Sequence, residues 1–219
     1  MIRVSASLLG SYLFMLEERI SFDQFSRNIM SSDPPSLKMR AGTMFHHLIQ
    51  NGQGMNIRDN AIDQIEKDKE IIVFDLEDIE QARQKVDKNS DIFEYKLRKL
   101  YSTSNGEVYV TGVADQIVGN VVHEFKTTYG AFSYDQYADS IQWKVYCSLF
   151  GVEEVKYQVW QLTEPTEDIE KIKPLKVKSY HEFSMFGNQC SEKMFLETLE
   201  GCVDLIYKSG LDKFLEMKE

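Results

Sequence analysis

Val108–Lys126 reads VYVTGVADQIVGNVVHEFK. Two runs rich in Val and Ile flank Gly119-Asn120, a pair that favours a two-residue hairpin turn. With that turn, Val118 faces Val121, Ile117 faces Val122, and Asp115 stands directly opposite Glu124. Directly opposed residues have Cβ atoms about 4.5–5.5 Å apart. Side chains alternate along a strand, so Glu124 and Lys126 share one face while His123 and Phe125 share the other. The hairpin therefore gathers Asp115, Glu124 and Lys126 on one surface. An ordinary exposed hairpin also carries such charges. However, apolar residues on both faces of these strands point to a buried central pair. A buried pair of carboxylates is costly unless something positive stands between them. A divalent cation fits that place, with Lys126 beside it.

Working outward, the 219 residues suit one domain, or one domain with a small helical appendage. Hydrophobic residues at 42% and charged residues at 27% suit a globular chain with a real core. The net charge of −10 does not announce a nucleic-acid partner by bulk attraction. Cys147, Cys190 and Cys202 are far apart and form no CxxC, so reduced thiols in a cytosolic protein are expected, not disulfides or a zinc site. No apolar run is long enough to span a bilayer. The opening MIRVSASLLGSYLFML has the look of a signal peptide. It runs into Glu17-Glu18-Arg19 without a small-x-small cleavage pattern, so a folded helix is expected there.

Ser5 or Ser7 can cap that helix, with Leu8, Leu9, Tyr12, Leu13 and Leu16 at helical spacing. Further helices are expected over Phe22–Met30 and Lys38–Gln50, separated by a break at Ser31–Ser36. Met44, Phe45, Leu48 and Ile49 mark the apolar face of the later one. A loop follows over Asn51–Asn60 and a short strand over Glu70–Phe74. The charge-rich Asp75–Leu100 reads as two helices broken near Asn89-Ser90, its acids first and bases later as the helix dipole prefers. After the hairpin come a loop over Thr127–Ser133 and one long helix over Tyr134–Phe150, ended by Gly151. Strands are expected over Glu154–Thr163 and Leu175–Phe183, flanking a polar loop over Glu164–Pro174. A helix over Gln189–Tyr207 has Phe195, Leu199, Cys202 and Ile206 in a stripe, and a last short helix covers Leu211–Glu219. The expected organisation is a helical N-terminal part over 1–68, a core over about 70–183 and C-terminal helices over 187–219, all in one domain.

Four motifs fall in one order along these elements. They are Ser5-x-Ser7-x-Leu9 with Tyr12, Gly42-x-x-x-His46 on a helix, Asp115 with Glu124-x-Lys126 on the hairpin, and Gln142-x-x-x-Tyr146 on the following helix. Each alone is permissive, but their order and placement are specific. Together they resemble the PD-(D/E)xK nuclease superfamily, and within it the RecB-like exonuclease branch, over roughly residues 5–160. Lys126-Thr127-Thr128 also resembles the family's usual ending. The chain departs from the iron–sulfur members, since no cysteine follows Tyr12 and the C-terminal cysteines do not cluster, so no cluster is expected. Ala114 stands where the family name has Pro, as is usual for the branch.

The resemblance implies a restriction-endonuclease-like α/β core, a mixed sheet flanked by helices. It also implies metal-dependent hydrolysis of DNA with Mg²⁺ or Mn²⁺ as cofactor. Asp115 and Glu124 become metal ligands, joined by the Phe125 carbonyl and by His46, an imidazole that suits Mn²⁺ better than Mg²⁺. Lys126 orients the attacking water or stabilises negative charge. Gln142 and Tyr146, four apart on one helix face, line the groove. His123 points to the other face and lies outside the site. Tyr129, Phe132, Tyr134 and Tyr137 are candidates to stack on splayed bases, with core packing the competing role. No G-x-S-x-G and no phosphate-binding P-loop occur, so neither a serine triad nor a motor is expected. The implied function is exonucleolytic cleavage of single-stranded or end-bearing DNA, in recombination, repair or replication. The reduced thiols suit a cytoplasmic setting and the small size suits a phage or mobile-element nuclease, hence a bacterial or phage-infected cell, with a homo-oligomer or a recombination or replication partner protein open. A structure-specific endonuclease and a non-catalytic nucleic-acid-binding member are the alternatives.

Overall fold

The computed structural model describes residues 1–30, 34–50, 56–58, 61–65, 71–88, 92–166 and 173–216. The chain opens with β1 (Arg3–Ser5), α1 (Ala6–Leu16), α2 (Phe22–Met30) and α3 (Leu37–Gln50). Next come β2 (Asn56–Arg58), β3 (Ala61–Ile65), β4 (Ile71–Asp75) and α4 (Leu76–Lys85). Then β5 (Ile92–Thr103), β6 (Gly106–Val118) and β7 (Val121–Thr128) form the middle of the chain. It ends with α5 (Tyr134–Ala138), α6 (Ile141–Phe150), β8 (Glu154–Leu162), β9 (Val177–Phe186), α7 (Gln189–Lys208) and a 3₁₀ turn at Asp212–Phe214.

The main sheet runs β1-β6-β7-β8-β9, with β5 on the other side of β6. β1 with β6 and β7 with β8 are parallel, and the remaining pairs are antiparallel. This is an α/β architecture, a mixed central sheet flanked by helices, as the sequence led us to expect. A second sheet, β2-β3-β4, is small and antiparallel. One core lies under α1, α6 and α7 and contains Leu9, Val110, Tyr157, Phe195 and Leu199. Another lies under α3 and α4 and contains Phe45, Leu48, Phe74, Phe125 and Trp160. Among the described residues no helix is long and apolar enough to cross a membrane.

Several local readings hold for the reasons given. Ser5 caps α1, its hydroxyl accepting the Leu8 N–H at 3.1 Å. Gly119 takes φ +57 in the hairpin turn, a conformation a side chain resists. Gly151 closes α6 at φ +69.

Four readings need correction: the last short helix expected over Leu211–Glu219 is, among its described residues, only a 3₁₀ turn at Asp212–Phe214, and three others follow. Residues 92–103 form a strand, not a second helix, paired with β6 from Ile92↔Ile117 to Thr103↔Gly106. Ile92, Phe93, Tyr95, Tyr101 and Thr103 are strand formers. The charges between them sit on an edge strand, where Lys and Arg discourage pairing with other chains. The long helix over 134–150 is two, because the Ser140 hydroxyl accepts the Gln142 N–H at 3.2 Å and starts α6 afresh. The N-terminal part is not wholly helical, since β1, β2 and β3 lie within it. The expected break near Asn89-Ser90, most of the Asn51–Asn60 loop, and parts of the breaks at 31–36 and 164–174 and of the tail lie outside the described residues.

Candidate active site

The register of β6 and β7 is the one the turn dictates: Val118↔Val121, Ile117↔Val122 and Gln116↔His123. Continued by one step, it sets Asp115 against Glu124, but the ladder stops there. Beyond it β6 pairs with β1 while β7 pairs with β8, so the two strands fork. A carboxylate fills the head of the fork. Asp115 Oδ2 accepts the Phe125 N–H at 2.7 Å, taking a backbone donor that the ladder leaves free.

Glu124 stands on the face under α1 and α6 and is 1% exposed. Its Oε2 accepts from Lys126 Nζ at 2.8 Å and from Gln142 Nε2 at 3.1 Å. The same amide donates to the Tyr146 hydroxyl at 3.0 Å, and that hydroxyl donates to the Val113 carbonyl at 2.8 Å. Glu124, Lys126, Gln142 and Tyr146 are thus one hydrogen-bonded network, and Asp115 adjoins it through its charge on Glu124. Glu124 Oε1 is buried with no hydrogen-bond partner among the described residues.

Charge and burial compete here. Burial pushes the Glu124 carboxyl up to about 8, against the Lys126 ammonium and with help from the Asp115 charge, while the Asp115 backbone N–H lowers it slightly. Burial likewise raises Asp115, opposed by Lys126 and by the Phe125 N–H. Burial pulls Lys126 down, but Glu124 and Asp115 outweigh it and raise the ammonium. Lys126 therefore stays charged, with its side chain 29% exposed.

His46 reaches the fork from the other face of the sheet. Its ring meets the Phe125 ring edge-on at 6.2 Å, and among the described residues its buried Nε2 has no partner. Burial, then the nearby Lys126 charge, push it down to about 3, so the imidazole is neutral. Gly42 brings this helix close: a Cβ there would lie 2.6 Å from Thr127 Oγ1. The Gly42-x-x-x-His46 spacing thus has a packing reason, with the glycine admitting β7 and the histidine one turn later at the fork.

Among the described residues no three His, Cys, Asp or Glu side chains form a group placed to hold a metal ion by themselves. His123 lies outside the site, as expected. It lines a separate cavity of about 410 Å³ with Lys85, Gln158 and Glu182. Three of the four candidate stacking aromatics are used elsewhere. Tyr129 donates to the Lys38 carbonyl at 2.9 Å, Phe132 stacks on His181 at 3.9 Å, and Tyr134 packs on Phe183 at 5.1 Å. Tyr137 packs on Tyr157 but also lines a cavity beside Lys126.

Sequence reasoning missed Glu94. It lies between the pairs Phe93↔Gln116 and Tyr95↔Ala114, hence across from Asp115. Its φ is +51, a left-handed value that side chains resist. Burial, then Asp115, raise its carboxyl, while a hydrogen bond from Gln50 lowers it. The signal was hidden because this segment had been read as helix.

No protein-family model matches the chain, and no curated protein matches it. Solved structures do. The crystal structure of SSO0001 aligns at TM-score 0.51 and 12% identity, over 94% of this chain and 77% of that one. LHK-Exo in complex with dAMP aligns at TM-score 0.45 and 10% identity, over 94% and 88%. Scheffersomyces stipitis Rai1 aligns at TM-score 0.35 and 10% identity, over 95% and 61%. At these identities the likeness to SSO0001 is one of fold.

Proposed function

We propose that the chain, as one domain over 1–219, is a metal-dependent nuclease of the PD-(D/E)xK superfamily. Within it we place the chain in the RecB-like exonuclease branch, hydrolysing DNA from free ends. The observation that carries this reading is the forked hairpin, where Glu124 Oε1 and His46 Nε2 are both buried and unpartnered. Buried polar atoms without partners are uncommon and ask for an explanation. A divalent cation would supply one for Glu124 Oε1, since it takes lone pairs and not protons, and His46 would join it by reaching the fork from the other face.

The donors fit Mg²⁺ or Mn²⁺. Mg²⁺ is typically held by one or two carboxylates and completes its shell with water and substrate phosphate oxygens. Asp115 and Glu124 are those carboxylates, with His46 and the Phe125 carbonyl as further ligands. Among the described residues these three side chains do not already form a group placed to hold an ion, so an ion would rest first on the two carboxylates, water and phosphate. When bound, the ion activates water and neutralises charge on the phosphate.

The protein's own groups do the rest. Lys126 presents an ammonium next to Glu124, placed to orient water or to balance charge on the pentacoordinate phosphate. Gln142 spends one amide on Glu124 and Tyr146, which fixes the carboxylate rotamer. Tyr146 ties that chain to the β6 backbone through Val113. Four residues on three elements therefore hold the carboxylate that faces the substrate.

Purified protein is tested on end-labelled linear DNA and on the same DNA as a closed circle, with Mn²⁺, Mg²⁺ or EDTA. Linear DNA is degraded with either metal and not with EDTA, the circle is spared, and Lys126→Ala is inactive. Equal rates for wild type and Lys126→Ala overturn the catalytic reading. Cutting of the circle overturns only the exonuclease assignment.

A further inference from the structure

A cavity of about 230 Å³ opens beside the network, walled by α1 on one side and by the α5–α6 corner on the other. Lys126 and Gln142 line it together with Leu13, Phe14, Arg19 and Ile141. Pockets that swallow a whole drug-sized ligand run to roughly 300–1,000 Å³. This one suits a part of a larger substrate.

Its charges cancel. Lys126 and Arg19 are matched by Glu17 and Asp139, which also line it, and Arg19 pairs with Glu17 at 3.4 Å. A phosphate finds no net attraction in such a place, whereas a neutral flat ring with polar edges does. Phe14 offers a face for it. It is 41% exposed, off the apolar side of α1, and the Arg19 guanidinium lies 4.1 Å from its ring centre.

That stack is held at a cost to the backbone. α1 ends with the Arg19 N–H donating to the Phe14 carbonyl at 2.8 Å and the Glu18 N–H to the Met15 carbonyl at 3.0 Å. These are the two bonds of a Schellman closure, which normally places glycine where Glu18 sits at φ +59. The closure delivers Arg19 onto Phe14 at the mouth of the cavity.

We propose that this cavity is a nucleobase subsite, in which Phe14 and Arg19 hold one base of the strand whose phosphate is cut at the neighbouring Asp115–Glu124 site. The proposal rests on the nuclease reading above and names its substrate form. A base can enter only when unpaired, so the strand at the site is single or frayed. Aromatic rings and guanidinium planes both stack on bases with little regard to sequence.

The test compares cleavage of a single-stranded oligonucleotide with that of the same length carrying abasic residues, in wild type, Phe14→Ala, Arg19→Ala and Phe14→Tyr. Loss of one stacked base raises KM roughly 5- to 150-fold with kcat little changed. Wild type prefers the base-bearing strand by that factor, Phe14→Ala loses the preference, and Phe14→Tyr keeps it. Thermal melting confirms that each variant folds. Wild-type KM in both alanine variants, or no abasic penalty in wild type, overturns the subsite while leaving the nuclease standing, provided Lys126→Ala is inactive. If wild type cleaves no nucleic acid, both proposals fall together.

Discussion

Removing metal should make the protein less stable as pH rises from 6.5 to 8, against the usual behaviour of a carboxylate. Glu124 titrates at about 8 in the fold and near 4.5 in an ordinary setting. Between those values the folded chain keeps a proton that the unfolded chain has lost. The stability this lends is complete below 4.5 and is lost as pH rises through 8. His46 acts in the opposite sense. Its folded value of about 3 lies below the ordinary 6.5, so its stabilisation is complete above 6.5 and is lost as pH falls toward 3. The two slopes oppose each other up to pH 6.5, and above it Glu124 acts without that opposition. One proton gives ~1.4 kcal/mol per pH unit, hence about 2 kcal/mol over this window. For a chain of this size that is a fall in Tm of roughly 4–8 °C. Thermal unfolding in EDTA at half-unit steps measures it, with Glu124→Gln as the flat control. Above pH 8 the half-buried Cys147 and buried Cys202 thiols, raised to about 11 and about 12, add a slope of the same sign, so the scan stops there. A level wild-type Tm from 6.5 to 8, or the same slope in Glu124→Gln, would refute the argument.

The same carboxyl predicts that Mn²⁺ binding at pH 7 releases a proton, seen by calorimetry in buffers of different ionisation enthalpy and absent in Glu124→Gln. Gly42→Ala should lower stability by about 1–3 kcal/mol, since the new methyl meets Thr127 Oγ1 at 2.6 Å, and Thr127→Ala in the same chain should restore most of it. A Tm unchanged by Gly42→Ala would mean that α3 does not sit against β7 as described. Glu18→Gly should raise stability by about 1 kcal/mol by relieving the φ of +59, a gain readable by denaturant unfolding at constant m.

How far the sequence reaches depends on whether neighbours along the chain or across it decide the outcome. The hairpin register followed from Gly119-Asn120, because a turn fixes its own strands. Helices α3 and α7 followed from apolar spacing, and their marked residues Phe45, Leu48, Phe195 and Leu199 are all buried. β5 was misread because its strand character comes from pairing with β6, while its charges mimic a solvated helix. That error concealed Glu94, whose position opposite Asp115 exists only once β5 is a strand. The cavity beside Lys126 was out of reach for the same reason. Phe14 lies off the apolar face of α1, and only the closure at Glu18 shows what Arg19 does with it.

The hairpin was expected to set two acids face to face with a cation between them. The fork does something more specific. Asp115 gives one oxygen to the backbone of β7, and Glu124 gives one to Lys126 and Gln142. Each carboxylate is thereby fixed through one oxygen, and for Glu124 the other is left buried without a partner. Hydrogen bonds that hold one oxygen in place cannot satisfy the second, so the network orients the acid without neutralising its site. An apolar replacement would be more stable in isolation, because burying a carboxyl is expensive and Lys126 offsets only part of it. Sites that keep such a cost are built for what binds them. The destabilisation expected above pH 6.5 in EDTA and the proton expected to leave on Mn²⁺ binding are therefore two readings of one free oxygen.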